Sequence, residues 1–167
     1  MKFKKRIYKN PSALWCDFKY VFARRPLIKK TMRGELISEA FRERLMLTVT
    51  EVNGCRYCHY FHASEALKAG ISEEELKTFV DGTIPDNTPP EEYQALLYAQ
   101  HWAENDAQPD LALAEKLHET YGEETAAAIH LILRMIRVGN LLGNTWDYFL
   151  FRISCGRWGK PDNNKNK

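Results

Sequence analysis

A chain of 167 residues that is 44% hydrophobic and 28% charged fits one globular domain with a proper core, and excludes a disordered polymer. The formal charge of +2 conceals an asymmetry: residues 1–33 hold 11 Lys/Arg against the single Asp17, a local +10, and the rest of the chain carries −8, so the two parts should attract each other. No stretch reaches the roughly 18 uninterrupted apolar residues of a membrane span, and no apolar run follows the basic start as in a secretory signal, so a cytoplasmic location is expected.

The first helix begins after Asn10-Pro11-Ser12, a capping sequence, and places Leu14, Trp15, Phe18, Val21 and Phe22 at helical spacing until Arg25-Pro26 stops it. A basic, aromatic helix can lie on an anionic membrane or reach toward nucleic acid. Packing of the aromatic stripe on the body or on a sister subunit is the commoner use, with a non-catalytic interaction module as the alternative; no nucleic acid and no membrane span are expected. Leu27 to Gly34 reads as a connector. Residues 1–34 thus form a basic N-terminal helical extension, residues 35–154 a helical domain and residues 155–167 a polar basic tail.

Within the domain, Ser38 to Val52 has broad apolar coverage and contains Arg42-Glu43-Arg44, a cluster of a kind that is normally solvated. Asn53-Gly54 breaks the chain, and a helix from Cys55 to about Ala69 stops at Gly70. Ser72 and Glu75 make a capping box for a short helix, Ile84 to Pro90 is a loop, and Pro89-Pro90-Glu-Glu92 opens a helix that runs to about Asn105. Pro109 to Tyr121 is helical, with Gly122 as its stop, and Glu123 to about Ser154 is the longest periodic run. On that last helix Gly139 and Gly143 allow close approach of a neighbouring helix, in the same chain or a second copy, or mark a bend, and His130, Arg134, Arg137 and Asn144 share a polar stripe expected to face solvent or a second copy. The 3.6-residue period holds nearly throughout, so the fold class is all-α, a single-domain helical bundle.

Four cysteines, Cys16, Cys55, Cys58 and Cys155, are too few and too unevenly spaced for a secreted disulfide framework. The run Glu51-Val-Asn-Gly-Cys55-Arg-Tyr-Cys58-His-Tyr-Phe-His62 concentrates the chemistry. Helical spacing puts Cys55, Cys58 and His62 on one face, with Cys55 in the first turn, where unpaired N–H groups and the helix dipole favour a thiolate. A histidine one turn after Cys58 can take the proton, so the stretch reads as a redox-active dithiol with a built-in base. The alternative is a metal site of Cys55, Cys58, His59 and His62, but four donors from two turns of one helix would have trouble enclosing a tetrahedral ion. No metal and no cofactor are expected. Spacing alone nominates Glu51 as the acid that completes a relay. Cys58 is the preferred base-activated thiol and Cys55 the more exposed partner that exchanges, with the reverse assignment close behind.

Arg42-Glu43, Asn53-Gly54-Cys55-Arg-Tyr57-Cys58 and His62 resemble the alkylhydroperoxidase D-like branch of the carboxymuconolactone decarboxylase family. Tyr121-Gly122-Glu-Glu124, Ile132 to Val138 and Gly139-Asn140-Leu-Leu-Gly-Asn144 resemble its second half, so the likeness covers roughly residues 35 to 150. The resemblance implies a bundle that reduces hydroperoxides through its CxxC pair, is re-reduced by a dithiol partner, and assembles into homo-oligomers. It also implies a proton relay of Glu43 and His62, with Glu43 orienting or recharging the imidazole that deprotonates Cys58. One departure is Tyr57, where alkylhydroperoxidase D has a histidine before its second cysteine. The decarboxylase branch lacks the paired cysteines.

Overall fold

Ser38 caps the helix that the others surround, its hydroxyl accepting the Phe41 N–H at 3.1 Å. In the computed structural model, which describes residue 3 and residues 5–80 and 82–159, this helix is α3 (Glu39–Asn53), and every residue from Phe41 to Thr50 on it is buried. The described residues form seven helices and no strand: α1 (Pro11–Ala23), α2 (Arg25–Met32), α3, α4 (Arg56–Lys68), α5 (Glu73–Val80), α6 (Pro90–Glu104) and α7 (Leu111–Ile153). The all-α expectation holds. Helix α3 packs against α4, α6 and α7, and Leu45, Leu47, Leu96, Trp102, Ile129, Ile132 and Leu133 close the core between them. Each such side chain contributes about 1.5–3 kcal/mol by leaving water.

Because α3 is enclosed on all sides, Arg42-Glu43-Arg44 is not the solvated cluster expected. Arg44 sits in a buried fork, with Nε 2.6 Å from Glu75 Oε1 on α5 and Nη1 3.0 Å from Glu92 Oε2 on α6. Those two carboxylates satisfy the guanidinium and tie three helices together. The Ser72 hydroxyl accepts the Glu75 N–H at 3.1 Å, which sets α5 in position for this contact.

Two further expectations are corrected. The connector after Ala23 is helix α2, since Pro26 falls in its first turn, where a missing N–H costs nothing. The polar stripe of α7 is not open to solvent: α1 takes Arg134 and Arg137, Tyr98 of α6 packs on His130, and Asn144 bonds the Arg6 and Asn53 carbonyls. Asp17, the only acid of the basic extension, is 1% exposed, with Arg134 Nη1 at 2.5 Å, Arg137 beside it and the Tyr8 hydroxyl donating at 2.7 Å. Opposite charges do join the two parts, but the central lock has the polarity reversed. On the same stripe, burial holds the His130 imidazole down at about 4. The aromatic stripe of α1 is only partly packed, with Trp15 and Phe22 exposed.

Gly122 takes φ 73° and ψ 165° and breaks α7 where the sequence places a stop. The long arm after it meets the length and hydropathy of a membrane span, but 56% of that window is buried in the protein's own interior. Residues 160–167 of the polar tail lie outside the described residues.

Candidate functional site

Helix α3 ends at Gly54, in the left-handed region at φ 72°, and α4 starts two residues later, so the chain turns a tight corner. Cys55 is the N-cap of α4. Its sulfur folds back over the first turn, 3.4 Å from the Cys58 N–H that it accepts. Two residues of α7 grip the corner: Asn140 Oδ1 accepts from Asn53 Nδ2 at 3.1 Å, and Asn144 Nδ2 donates to the Asn53 carbonyl at 2.8 Å. One residue earlier in each turn, glycine leaves room for sulfur. A Cβ on Gly143 would lie 3.0 Å from Cys55 Sγ, and one on Gly139 3.8 Å from Cys58 Sγ. The neighbouring helix expected at these glycines is α4, and the part of it that approaches is the dithiol.

The two sulfurs lie 2.8 Å apart as free thiols in hydrogen-bond contact. The hydrogen bond from Cys58 holds the Cys55 thiol down at about 7 from an ordinary 9.0, helped by the N–H groups of Cys58 and Tyr57 and the charge of Lys5, against burial. Cys58 is pushed up, first by its hydrogen bond to Cys55 and then by burial, with the Asn140 amide opposing. When the pair gives up a proton, Cys55 is thus the sulfur that loses it. This revises the expected division of labour: Cys55 is 1% exposed and Cys58 is half-buried, so Cys58 is the outer sulfur. The reason is packing, because the Cys55 sulfur turns in over the first turn of α4 and lies against Gly143 of α7.

Glu43, 3% exposed, divides its carboxylate: Oε2 lies 2.8 Å from His62 Nδ1 and Oε1 lies 3.1 Å from Arg42 Nε. Arg42 is held in turn by the Met32 carbonyl at the end of α2, at 3.2 Å. His62 follows Cys58 by one helical turn. Glu51, the acid that spacing nominated, pairs with the other imidazole, at 2.6 Å from His59 Nδ1. With each histidine engaged by a carboxylate of α3, the four nominal zinc donors do not converge. Among the described residues no three His, Cys, Asp or Glu side chains are gathered as a metal ion requires.

Sequence reasoning missed the frame above the sulfurs. Asp147 is fully buried and receives Lys5 Nζ at 2.7 Å, Arg56 Nη2 at 2.8 Å and the Tyr57 hydroxyl at 2.9 Å. Tyr57 therefore turns toward α7. The signal available was the repeat Gly139-Asn140 and Gly143-Asn144, which at a spacing of four aligns two glycines and two amides on α7. Asp147, one turn beyond Gly143, continues the glycine row. A cleft of about 300 Å³ lined by Thr48, Glu51, Phe79, Ile84 and Gln100 includes neither sulfur. The outer thiol instead lies beside the exposed Gly139.

Residues 23–101 match the model of the carboxymuconolactone decarboxylase family. The matched segment holds Glu43, Cys55, Cys58 and His62 and ends before α7. The chain is similar to the uncharacterized protein YdfG of Bacillus subtilis (strain 168), at 28% identity over 123 residues that cover 70% of this chain and 83% of that protein. No solved structure matches it.

Proposed function

We propose that this chain, whose residues 23–101 match the model of the carboxymuconolactone decarboxylase family, is a thiol-dependent peroxidase and disulfide reductase of the alkylhydroperoxidase D-like kind. The observation that carries the reading is the Cys55–Cys58 pair with its sulfurs 2.8 Å apart, at the start of the helix that also carries a His62 held by Glu43. The Cys55 thiolate attacks the terminal oxygen of a hydroperoxide. The O–O bond breaks, Cys55 becomes a sulfenic acid, and the alkoxide takes a proton to leave as an alcohol. Cys58 then attacks the oxidised sulfur, gives its proton to His62, and hydroxide leaves as water when that proton is passed on, so the disulfide forms.

An external dithiol closes the cycle. Its thiolate attacks Cys58, the outer sulfur, and Cys55 departs as the better leaving group because its thiol is the more acidic. The second thiol of the partner then resolves the mixed disulfide, and two electrons have passed from dithiol to peroxide. Glu43 keeps the imidazole oriented, and Arg42 holds the Glu43 carboxylate in place. No cofactor enters the cycle, which suits a reducing cytoplasm. The family likeness also carries the expectation that copies assemble, which sedimentation measures.

Thiol titration before and after one equivalent of a hydroperoxide tests the reading. The reduced protein should lose two thiols per chain, and Cys55→Ser should not form the disulfide. Retention of all thiols in the wild type would sink it.

A further inference from the structure

We propose that Lys5, which lies outside the segment that matches the family, is a positioning residue of the dithiol: clamped on Asp147 above the first turn of α4, its ammonium holds a positive charge beside Cys55. The inference takes its purpose from the proposed function, but its test does not depend on that function.

The placement is built from both ends of the chain. Lys5 is 6% exposed along its side chain and Nζ reaches Asp147 Oδ2 at 2.7 Å. Its Cγ is 3.8 Å from where a Cβ on Gly54 would stand, the residue just before the thiol. The segment that carries it is tied down on both sides of the corner. Arg6 donates to the carbonyls of Ala103 and Glu104 at 2.6 and 2.9 Å, Asn144 donates to the Arg6 carbonyl at 2.9 Å, and the Tyr8 N–H reaches Thr145 Oγ1 at 3.3 Å. A lysine so enclosed has been taken out of water and needs a partner, which the buried Asp147 supplies.

The charges around Cys55 come from four elements. Helix α4 supplies Cys58, Arg56 and Tyr57, with His59 and His62 further on. Helix α3 carries Glu43, paired with His62 and Arg42, and Glu51, paired with His59. Helix α7 supplies Asp147, and the N-terminal strap Lys5. Around Asp147 two cations, Lys5 and Arg56, meet one carboxylate, so the cluster next to the thiol carries one net positive charge. A thiolate gains from that charge and a thiol does not. The lowering of the Cys55 thiol by Lys5 agrees with the geometry.

The experiment uses the full chain with Cys16 and Cys155 replaced by serine, and follows thiolate absorbance in the ultraviolet against pH. Lys5→Met, or Lys5→Gln if the first does not fold, should raise the titration midpoint and cut the thiolate present near neutrality by about threefold. Lys5→Arg keeps the charge and should titrate as the parent does. An unchanged midpoint in the neutral variants overturns the inference, and so does an equal shift in Lys5→Met and Lys5→Arg, which would make the effect one of packing. If the midpoint moves as expected but peroxide consumes no thiols, the proposed function fails and the role of Lys5 stands.

Discussion

Two buried aspartates in this protein are furnished alike. Asp17 on α1 takes Arg134, Arg137 and the Tyr8 hydroxyl; Asp147 on α7 takes Lys5, Arg56 and the Tyr57 hydroxyl. Each is a carboxylate out of water with two cations and a phenol, and each joins the N-terminal region to α7. They differ in what lies alongside. Asp17 fixes a helix to the body, whereas the Asp147 cluster borders Cys55 through Lys5, Arg56 and the Tyr57 ring. The same ionic arrangement serves as a fastening in one place and sets the electrostatics of a thiol in the other.

The comparison breaks most sharply under loss of a sulfur. Cys58→Ser should abolish peroxide-driven disulfide formation altogether while both aspartate clusters stay intact, as read by thiol titration and thermal unfolding. Asp17→Ala should do the opposite. It takes from Arg134 and Arg137 the buried carboxylate they share, leaving Arg137 only Asp106 at 2.6 Å, so denaturant unfolding should show a loss of about 1–3 kcal/mol, while the folded fraction keeps the titration midpoint of Cys55.

Smaller effects sharpen the contrast. Glu43→Gln removes the carboxylate charge that orients His62 and should slow peroxide turnover by about 10- to 100-fold; an unchanged rate would take Glu43 out of the relay. Gly143→Ala places a methyl 3.0 Å from Cys55 Sγ. It should cost about 1–3 kcal/mol in overpacking and perturb the dithiol, as a midpoint shift would report. The mildest test is pH. Because the Cys55 thiol is held down at about 7, its reactive form grows as pH rises through that value. The initial rate of thiol loss to peroxide should therefore increase about tenfold between about pH 6 and 8 and then level off. A rate still climbing steeply near pH 9 would place the thiol at its ordinary value.

Much of the chemistry could be read along the chain because it is local. Cys55, Cys58 and His62 sit within two turns of one helix, and helical spacing alone aligns them. Glu43 came from family likeness, since it reaches His62 from another helix across the corner at Gly54. The division between inner and outer sulfur was misjudged because exposure depends on which helix lies over the corner. Arg42-Glu43-Arg44 was misread for a related reason: a charged triplet signals solvent unless its partners are visible, and Glu75, Glu92 and His62 lie 31, 48 and 19 residues away from the residues they bind.

Periodicity, caps and breakers by themselves determined that this protein is a bundle of helices, where Gly54 and Gly122 interrupt it, and which two thiols share a face, because each of these is a matter of neighbours within a turn or two. Only the tertiary structure decided that α3 is enclosed, that α7 lays two glycines under the sulfurs, and that an aspartate near one end of the chain meets a lysine near the other. Such contacts follow from how the faces of separate helices fill space against each other, and no short stretch of sequence records that.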